Sequence, residues 1–174
     1  AISPTLYATQ TGTITFEVES GDRVHSGEVL ATIESPETQN QLLQEQSRLS
    51  SLQIELARQR ITTRQQELQN QKDEDSATIA LKAATRELNR AQQAFTQGAL
   101  TEIEFNKAED DLENAELLHN HSLLDTDLDN ERLEFELQTS QLNIDQQELL
   151  VEDLVRQVGE LVIVSPVNGI VGNL

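Results

Sequence analysis

The sequence contains no cysteine, methionine or tryptophan, and aromatic residues make up only 3% of its 174 residues. Without cysteine the chain has no disulfide framework, and this absence leaves its compartment open. So low an aromatic content argues against a thick globular core. Glutamine, glutamate and leucine crowd the middle of the sequence instead. That mixture is typical of a long coiled coil, which buries a narrow seam between helices.

Long apolar runs are also absent, since no stretch approaches the roughly 18 residues that a membrane-spanning helix needs. No signal peptide is visible at the start of the sequence. The sequence begins at Ala1 without methionine and stops at Leu174 inside a strand-like pattern. We therefore expect it to be a piece of a longer protein.

Basic residues are scarce, with 12 lysines and arginines against 31 acidic residues, and the net charge is -19. Residues 36–97 carry 8 acidic and 8 basic side chains, whereas residues 101–158 carry 17 acidic and 3 basic ones. This difference favours pairing of the two stretches with each other. The acidic surface disfavours nucleic acid or an anionic membrane as a partner.

The centre of the chain has the pattern of a helical hairpin. Apolar residues step by four and three along residues 77–95, stop, and resume with the same stepping from residue 105. Gly98 is a helix-stop signal, and Thr101 with Glu104 three residues later is a capping-box start. Two helices with so short a link lie antiparallel. We predict arms at residues 37–97 and 101–158 and a tip at 96–101. The predicted seam residues are Ala77, Leu81, Ala84, Leu88, Ala91, Phe95, Phe105, Ala108, Leu112 and Ala115.

Away from the tip the seam weakens in two zones, residues 58–76 and 119–127. We expect the zones to face each other, and the pattern allows either a tolerated register change or a hinge. The seam begins at Leu42, Leu49, Leu52 and Leu56, and beyond the second zone it is predicted to return at Leu128, Phe135, Leu142 and Leu149. If two helices bury their apolar residues in one seam, the long sides of the hairpin should carry few exposed apolar residues. We therefore expect this piece to be mostly monomeric in dilute solution and to assemble only together with further domains or partners.

Both ends of the chain have strand patterns. In the first part, glycines and apolar residues recur at spacings of two and three, namely Gly12, Ile14, Phe16, Val18, Gly21, Val24, Gly27, Leu30 and Ile33. Residues 161–164 and 169–171 form two more short strands around a Ser-Pro-Val-Asn turn. The nearly equal arms bring the two ends together. The predicted fold class is therefore α+β, with a long antiparallel coiled-coil hairpin, residues 36–158, inserted into a small β-domain split between 8–35 and 159–174.

This order of half-domain, hairpin and half-domain resembles the periplasmic adaptor family, also called membrane fusion proteins of the HlyD type. The first half-motif, Gly12-x-Ile14 followed by threefold spacing to Ile33, is similar to that of lipoyl-like domains. Residues 162–171, Val-Ile-Val-Ser-Pro-Val-Asn-Gly-Ile-Val, are similar to the family's returning half. The resemblance implies a lipoyl-like β-domain and a role in export without catalysis or a cofactor.

The resemblance also implies partners and a contact site. The family's tip pattern, Arg-x-x-x-Leu-x-x-x-x-x-x-Ser, falls here on Arg90, Ala94 and Thr101, with Phe95 beside the middle position. These four residues are the candidate partner-binding site. The implied partners are an outer-membrane channel, an inner-membrane transporter and further copies of the chain. The implied location is the periplasm, with the full-length protein anchored to the inner membrane.

Other functions fit the sequence less well. Lipoyl and biotinyl carriers need a lysine in the β-domain, but the lysines are Lys72, Lys82 and Lys107, and this argues against a carrier subunit. His119 and His121 point apart on a helix, so with Glu116 they do not predict a metal site. No pattern of a catalytic triad or a phosphate loop occurs. The main alternative is a structural coiled-coil protein with a small β-cap and no role in export.

Overall fold

The computed structural model describes residues 4–173 and has two long helices and a few short strands. The elements in chain order are β1 Thr13–Phe16, β2 Arg23–Val24, β3 Val29–Glu34, α1 Pro36–Thr96, α2 Glu102–Gly159, β4 Val162–Val164 and β5 Gly169–Ile170. The predicted α+β class, a helical hairpin with a small β-domain, is confirmed. Leu174, the last residue of the predicted second half-domain, lies outside the described residues.

The chain divides into two compact units, and both helices pass from one into the other. The first unit contains the residues up to Ile54 and those from Gln141 onward, and the second is Glu55–Ser140. The first therefore holds all the strands and the outer parts of both helices. The second holds only helix and the turn between α1 and α2. The domain boundaries at residues 35 and 159 remain a prediction.

Strands from the two ends of the sequence pair within the first unit. β3 is the middle strand of a sheet ordered β1-β3-β4, and both of its neighbours are antiparallel to it. β2 pairs with β5 in a second, two-stranded sheet. The buried apolar residues of the strands and their borders are Val24, Ala31, Ile33 and Leu161. The segments before and after the helices therefore build one strand-paired module.

Three positions of the first half-motif require or favour glycine, for different structural reasons. A Cβ on Gly12 would overlap the carbonyl of Glu34 and lie 2.6 Å from Cγ2 of Ile33, so only glycine fits against β3 there. Gly21 and Gly27 have φ values of 99° and 87°, which side chains other than glycine rarely adopt. Their N–H groups donate hydrogen bonds to carbonyls of the returning half, at 2.9 and 2.7 Å. The threefold glycine spacing thus places turns that join the two halves.

The second unit contains a seam in which α1 and α2 face each other. Its buried apolar residues are Leu56, Ala91, Ala108, Ala115 and Leu133. The part of the seam predicted near the tip is confirmed at the buried Ala91, Ala108 and Ala115.

The predicted return of the seam on α2 is wrong. Leu128, Phe135, Leu142 and Leu149 are 55–69% exposed, and Leu133, Ile144 and Leu154 are buried in their place. The helix carries two apolar stripes on opposite sides. Periodicity finds both stripes but does not show which of them packs against α1.

The weak zone at residues 58–76 is an unbroken part of α1 whose buried residues are polar. Thr63 and Asn70 are 5% and 8% exposed, and they continue the seven-residue spacing that leads from Leu56 to Ala91. Asn70 lies opposite Asp129 and Asn130, just beyond the second weak zone. The two zones partly face each other, since residues 66, 70 and 73 line a groove with residues 121, 122, 125 and 126.

Candidate functional site

The end of α1 is a glycine turn whose hydrogen bonds close the helix. Gly98 has a φ of 71°, in the left-handed region. Its N–H donates to the carbonyl of Phe95 at 2.9 Å, and the N–H of Ala99 donates to the carbonyl of Ala94 at 2.8 Å. These two bonds form a Schellman motif, which satisfies carbonyls that the helix end leaves without partners. The half-buried Ala94 therefore contributes its backbone to the turn.

The start of α2 is the predicted capping box. The hydroxyl of Thr101 donates to Oε2 of Glu104 at 2.7 Å, and the Thr101 N–H donates to the same oxygen at 3.0 Å. The Glu104 N–H in turn donates to Thr101 Oγ1 at 3.3 Å. The hydroxyl of Thr101, and then its backbone N–H, lower the pKa of the Glu104 carboxyl. The hydroxyl that was predicted to meet a partner therefore already caps its own helix.

An aromatic pair joins the last turn of α1 to the first turn of α2. The rings of Phe95 and Phe105 are stacked, with centroids 5.0 Å apart and an angle of 19° between their planes. Phe105 is half-buried, whereas Phe95 is 42% exposed, so Phe95 borders the seam and also contributes apolar surface at the tip. The stacking fixes the position of that surface relative to the turn.

Arg90 lies two helical turns before Gly98 and is held only loosely. Its side chain is 75% exposed, and its closest ion pair is with Glu87 Oε2 at 3.5 Å. An exposed pair of this kind contributes little stability. The guanidinium can therefore exchange Glu87 for a carboxylate or carbonyl of a partner without cost to the fold.

The four sequence-predicted residues thus fall into two groups. Ala94, Phe95 and Thr101 lie at the turn, while Arg90 lies about 6–8 Å from Ala94 and Phe95 along α1, as estimated from the helical rise. Sequence reasoning missed Ile103, which is 82% exposed in the first turn of α2. Ile103 is an apolar residue that lies outside the seam positions Phe105 and Ala108, and this mismatch could have indicated from the sequence that its side chain is exposed.

The outer edges of the second unit also carry exposed apolar residues. On α1 these are Ile61, Leu68 and Ile79, and on α2 they are Leu117, Leu124, Leu128 and Phe135. At 100° per residue, each set forms one stripe about 170° from the seam of its own helix. The expectation that the sides of the hairpin carry few apolar residues is therefore wrong, because each helix has a second apolar face.

The structure places no metal-binding set around the histidines. Within residues 4–173, no cluster of three or more histidine, cysteine or acidic side chains has the geometry to hold a metal ion. His119 is half-buried, while His121 and Glu116 are exposed. Over the same residues, neither helix contains an apolar stretch sufficient to cross a membrane.

Comparisons with known proteins gave matches among solved structures. No family model matches the sequence, and no curated protein matches it. The periplasmic adaptor protein EmrA is 12% identical over 91% of this chain and 62% of its own, with a TM-score of 0.44. MacA from Actinobacillus actinomycetemcomitans is 23% identical over 94% of this chain and 40% of its own, with a TM-score of 0.45.

A third similar structure is the soluble domain of LipC, a membrane fusion protein of a type I secretion system. It is 18% identical over 96% of this chain and 90% of its own, with a TM-score of 0.47. The structures that this chain resembles thus include adaptor and membrane fusion proteins, the family that its half-motifs resemble. The chain spans less than two thirds of the EmrA and MacA chains.

Proposed function

We propose that this chain is part of a periplasmic adaptor that links an inner-membrane transporter to an outer-membrane channel. The hairpin tip makes the contact with the channel, and the protein performs no catalysis. The observation that supports this most is the pairing of β3 with β4 and of β2 with β5. Those pairings join the two half-motifs that resemble the adaptor family into one module that brackets a helical hairpin.

The tip has the properties that a docking end needs. The glycine turn and the capping box fix its backbone, so a partner meets a preformed surface and little ordering entropy is lost on binding. Phe95 and Ile103 provide exposed apolar area, and Arg90 provides a charged group with several donors. A channel end with matching apolar pockets and free carbonyl or carboxylate oxygens fits this surface.

The outer stripes support assembly of several copies side by side. At one end of the α1 stripe, residues 56–66 carry three arginines and no acidic residue, whereas residues 67–79 carry four acidic residues and one lysine. Around the α2 stripe, residues 124–136 carry six acidic residues and one arginine. The α1 stripe of one copy therefore matches the α2 stripe of the next in apolarity, and near Ile61 it also matches it in charge. Contacts between two different edges repeat from copy to copy and close into a ring when the rotation allows.

The location follows from the same proposal. We place the chain in the periplasm, and we place the anchor to the inner membrane in parts of the full-length protein beyond this sequence. A contact with the inner-membrane transporter belongs to those parts as well.

The experiment uses the full-length protein in cells that depend on it for export. Arg90→Asp should reduce export, because it reverses the charge that faces the channel. Its matched control is Arg86→Asp, which makes the same change at an exposed position one turn farther from the tip. A photo-crosslinking residue at Ile103 should capture an outer-membrane channel. Normal export with Arg90→Asp, together with no crosslink at Ile103, would rule out the tip as the contact.

The alternative, a structural coiled-coil protein with a β-cap, is favoured by one observation. The Thr101 hydroxyl is engaged with Glu104, so capping alone explains a threonine at that position. In that case Arg90→Asp and Arg86→Asp should behave alike in cells. A difference between these two variants therefore separates the two functions.

A further inference from the structure

The α2 helix of the second unit has two candidate faces, and the more apolar one is not the face that packs against α1. Between residues 117 and 135 the outer face carries Leu117, Leu124, Leu128 and Phe135, all more than half exposed. The inner face over the same length carries residues such as Ser122, Thr126 and Asp129, with Leu133 as its large buried residue. Apolar burial alone favours packing of the outer face of α2 against α1.

Hydrogen bonds cross the seam between α1 and the inner face of α2. The Nδ2 group of Asn70 donates to Asp129 Oδ2 at 2.8 Å and to Asn130 Oδ1 at 3.2 Å. Oδ1 of Asn70 accepts from Gln66 Nε2 at 3.0 Å. Both ends of the buried amide are thus satisfied, and no buried side-chain nitrogen or oxygen within residues 4–173 lacks a hydrogen-bond partner.

The carboxylate of Asp129 is held in its charged form within this layer. Asn70, and then Arg132, lower its pKa. Arg132 donates to Asp129 Oδ1 at 2.7 Å from one side, while Asn70 donates to the other oxygen. Farther along the seam, the Ser140 hydroxyl donates to Gln59 Oε1 at 2.6 Å. Polar pairing therefore continues along this face of α2.

We infer that the polar layer of Asn70, Asp129 and Asn130 selects which face of α2 packs against α1. If α2 turned by half a turn, Leu128 would face α1, and the Nδ2 group of Asn70 would lose its two acceptors on α2. A buried polar group without a partner is expensive, and a single buried asparagine can fix the geometry of a coiled coil. The layer thereby keeps the apolar outer face of α2 available at the surface.

The experiment measures which face of α2 is covered, and the absence of cysteine from the whole sequence makes thiol labelling specific. Two reporter chains each carry one cysteine, introduced by Ala115→Cys in the seam or by Leu117→Cys on the outer face. Ala115 is 9% exposed, and Leu117 is 52% exposed. With Asn70 in place, the thiol at position 117 should react with a maleimide faster than the thiol at position 115. Asn70→Leu should lower this ratio of rates at least about tenfold, because the observed face loses its polar bonds and the other gains an apolar contact.

Two controls separate selection of a face from simple loss of stability. Asn106→Leu makes the same substitution at an exposed position and should leave the ratio unchanged. In a Leu128→Gln, Phe135→Gln background the competing face loses two of its large apolar residues, so Asn70→Leu should change the ratio much less than it does in the parent background. The inference is overturned if Asn70→Leu keeps the parental ratio, or if it causes loss of helicity in both backgrounds.

Discussion

Gly98→Ala tests whether the end of α1 depends on a left-handed backbone. Gly98 has a φ of 71°, and a Cβ built there meets no atom within 4 Å. The substitution adds no clash, so any change in stability comes from backbone conformation alone. A left-handed alanine costs about 1–2 kcal/mol. The reduced freedom of the unfolded chain offsets about 0.4–1 kcal/mol of this. The midpoints of these two ranges leave an expected net loss of about 0.8 kcal/mol.

Urea denaturation followed by circular dichroism measures this change in the free energy of unfolding. Gly98→Asn is the matched variant and should lose less stability than Gly98→Ala, because asparagine adopts the left-handed region more readily. Gly159→Ala is a second control, since that site is equally open but its φ is not positive. It should be neutral or slightly stabilising. If Gly98→Ala proves as stable as the parent chain, the left-handed turn does not hold the tip and the reasoning fails.

Three further predictions concern the seam, the cap and the β-module. Leu133→Ala should cost about 2–5 kcal/mol of unfolding free energy, whereas Leu128→Ala should change it by less than about 0.5 kcal/mol; equal losses would contradict the observed face of α2. Thr101→Ala should lower the melting temperature at neutral pH. Because the folded state lowers the pKa of Glu104, its stabilisation is present above the ordinary glutamate pKa and is lost as the pH falls through the folded value. The difference between parent and variant should thus narrow in acid to the part that comes from the bond of the Glu104 N–H to Thr101 Oγ1, and a difference independent of pH would exclude the carboxylate. Gly12→Ala should destabilise the sheet by about 1–3 kcal/mol through overlap with β3, measurable by thermal unfolding.

The tip of the hairpin could be predicted from sequence because its signals are local. Gly98 ends one helix through its own φ, and Thr101 and Glu104 cap the next one through bonds that span three residues. Nothing distant in the chain is needed to form either feature. The split β-module was equally predictable, because Gly12, Gly21 and Gly27 mark positions where backbone geometry admits only glycine or strongly favours it.

The candidate site was only partly predictable. Sequence spacing placed Arg90, Ala94, Phe95 and Thr101 near the tip, and the structure shows how each is held there. It did not show that the Thr101 hydroxyl is occupied by Glu104, or that Ile103 stands exposed beside it. Those facts depend on side-chain orientation around the turn, which residue spacing does not specify.

By itself, the sequence determined where the helices and strands lie, where the hairpin turns, and that α2 carries an apolar repeat. Only the tertiary structure decided which stripe of α2 is buried, since Leu133 and Leu128 fit helical periodicity equally well. The bond from Asn70 to Asp129 spans 59 residues, and the polar contacts that accompany the observed face form only once the two helices lie together. A pattern within one helix contains no information about what lies opposite it, so that choice belongs to the packed pair.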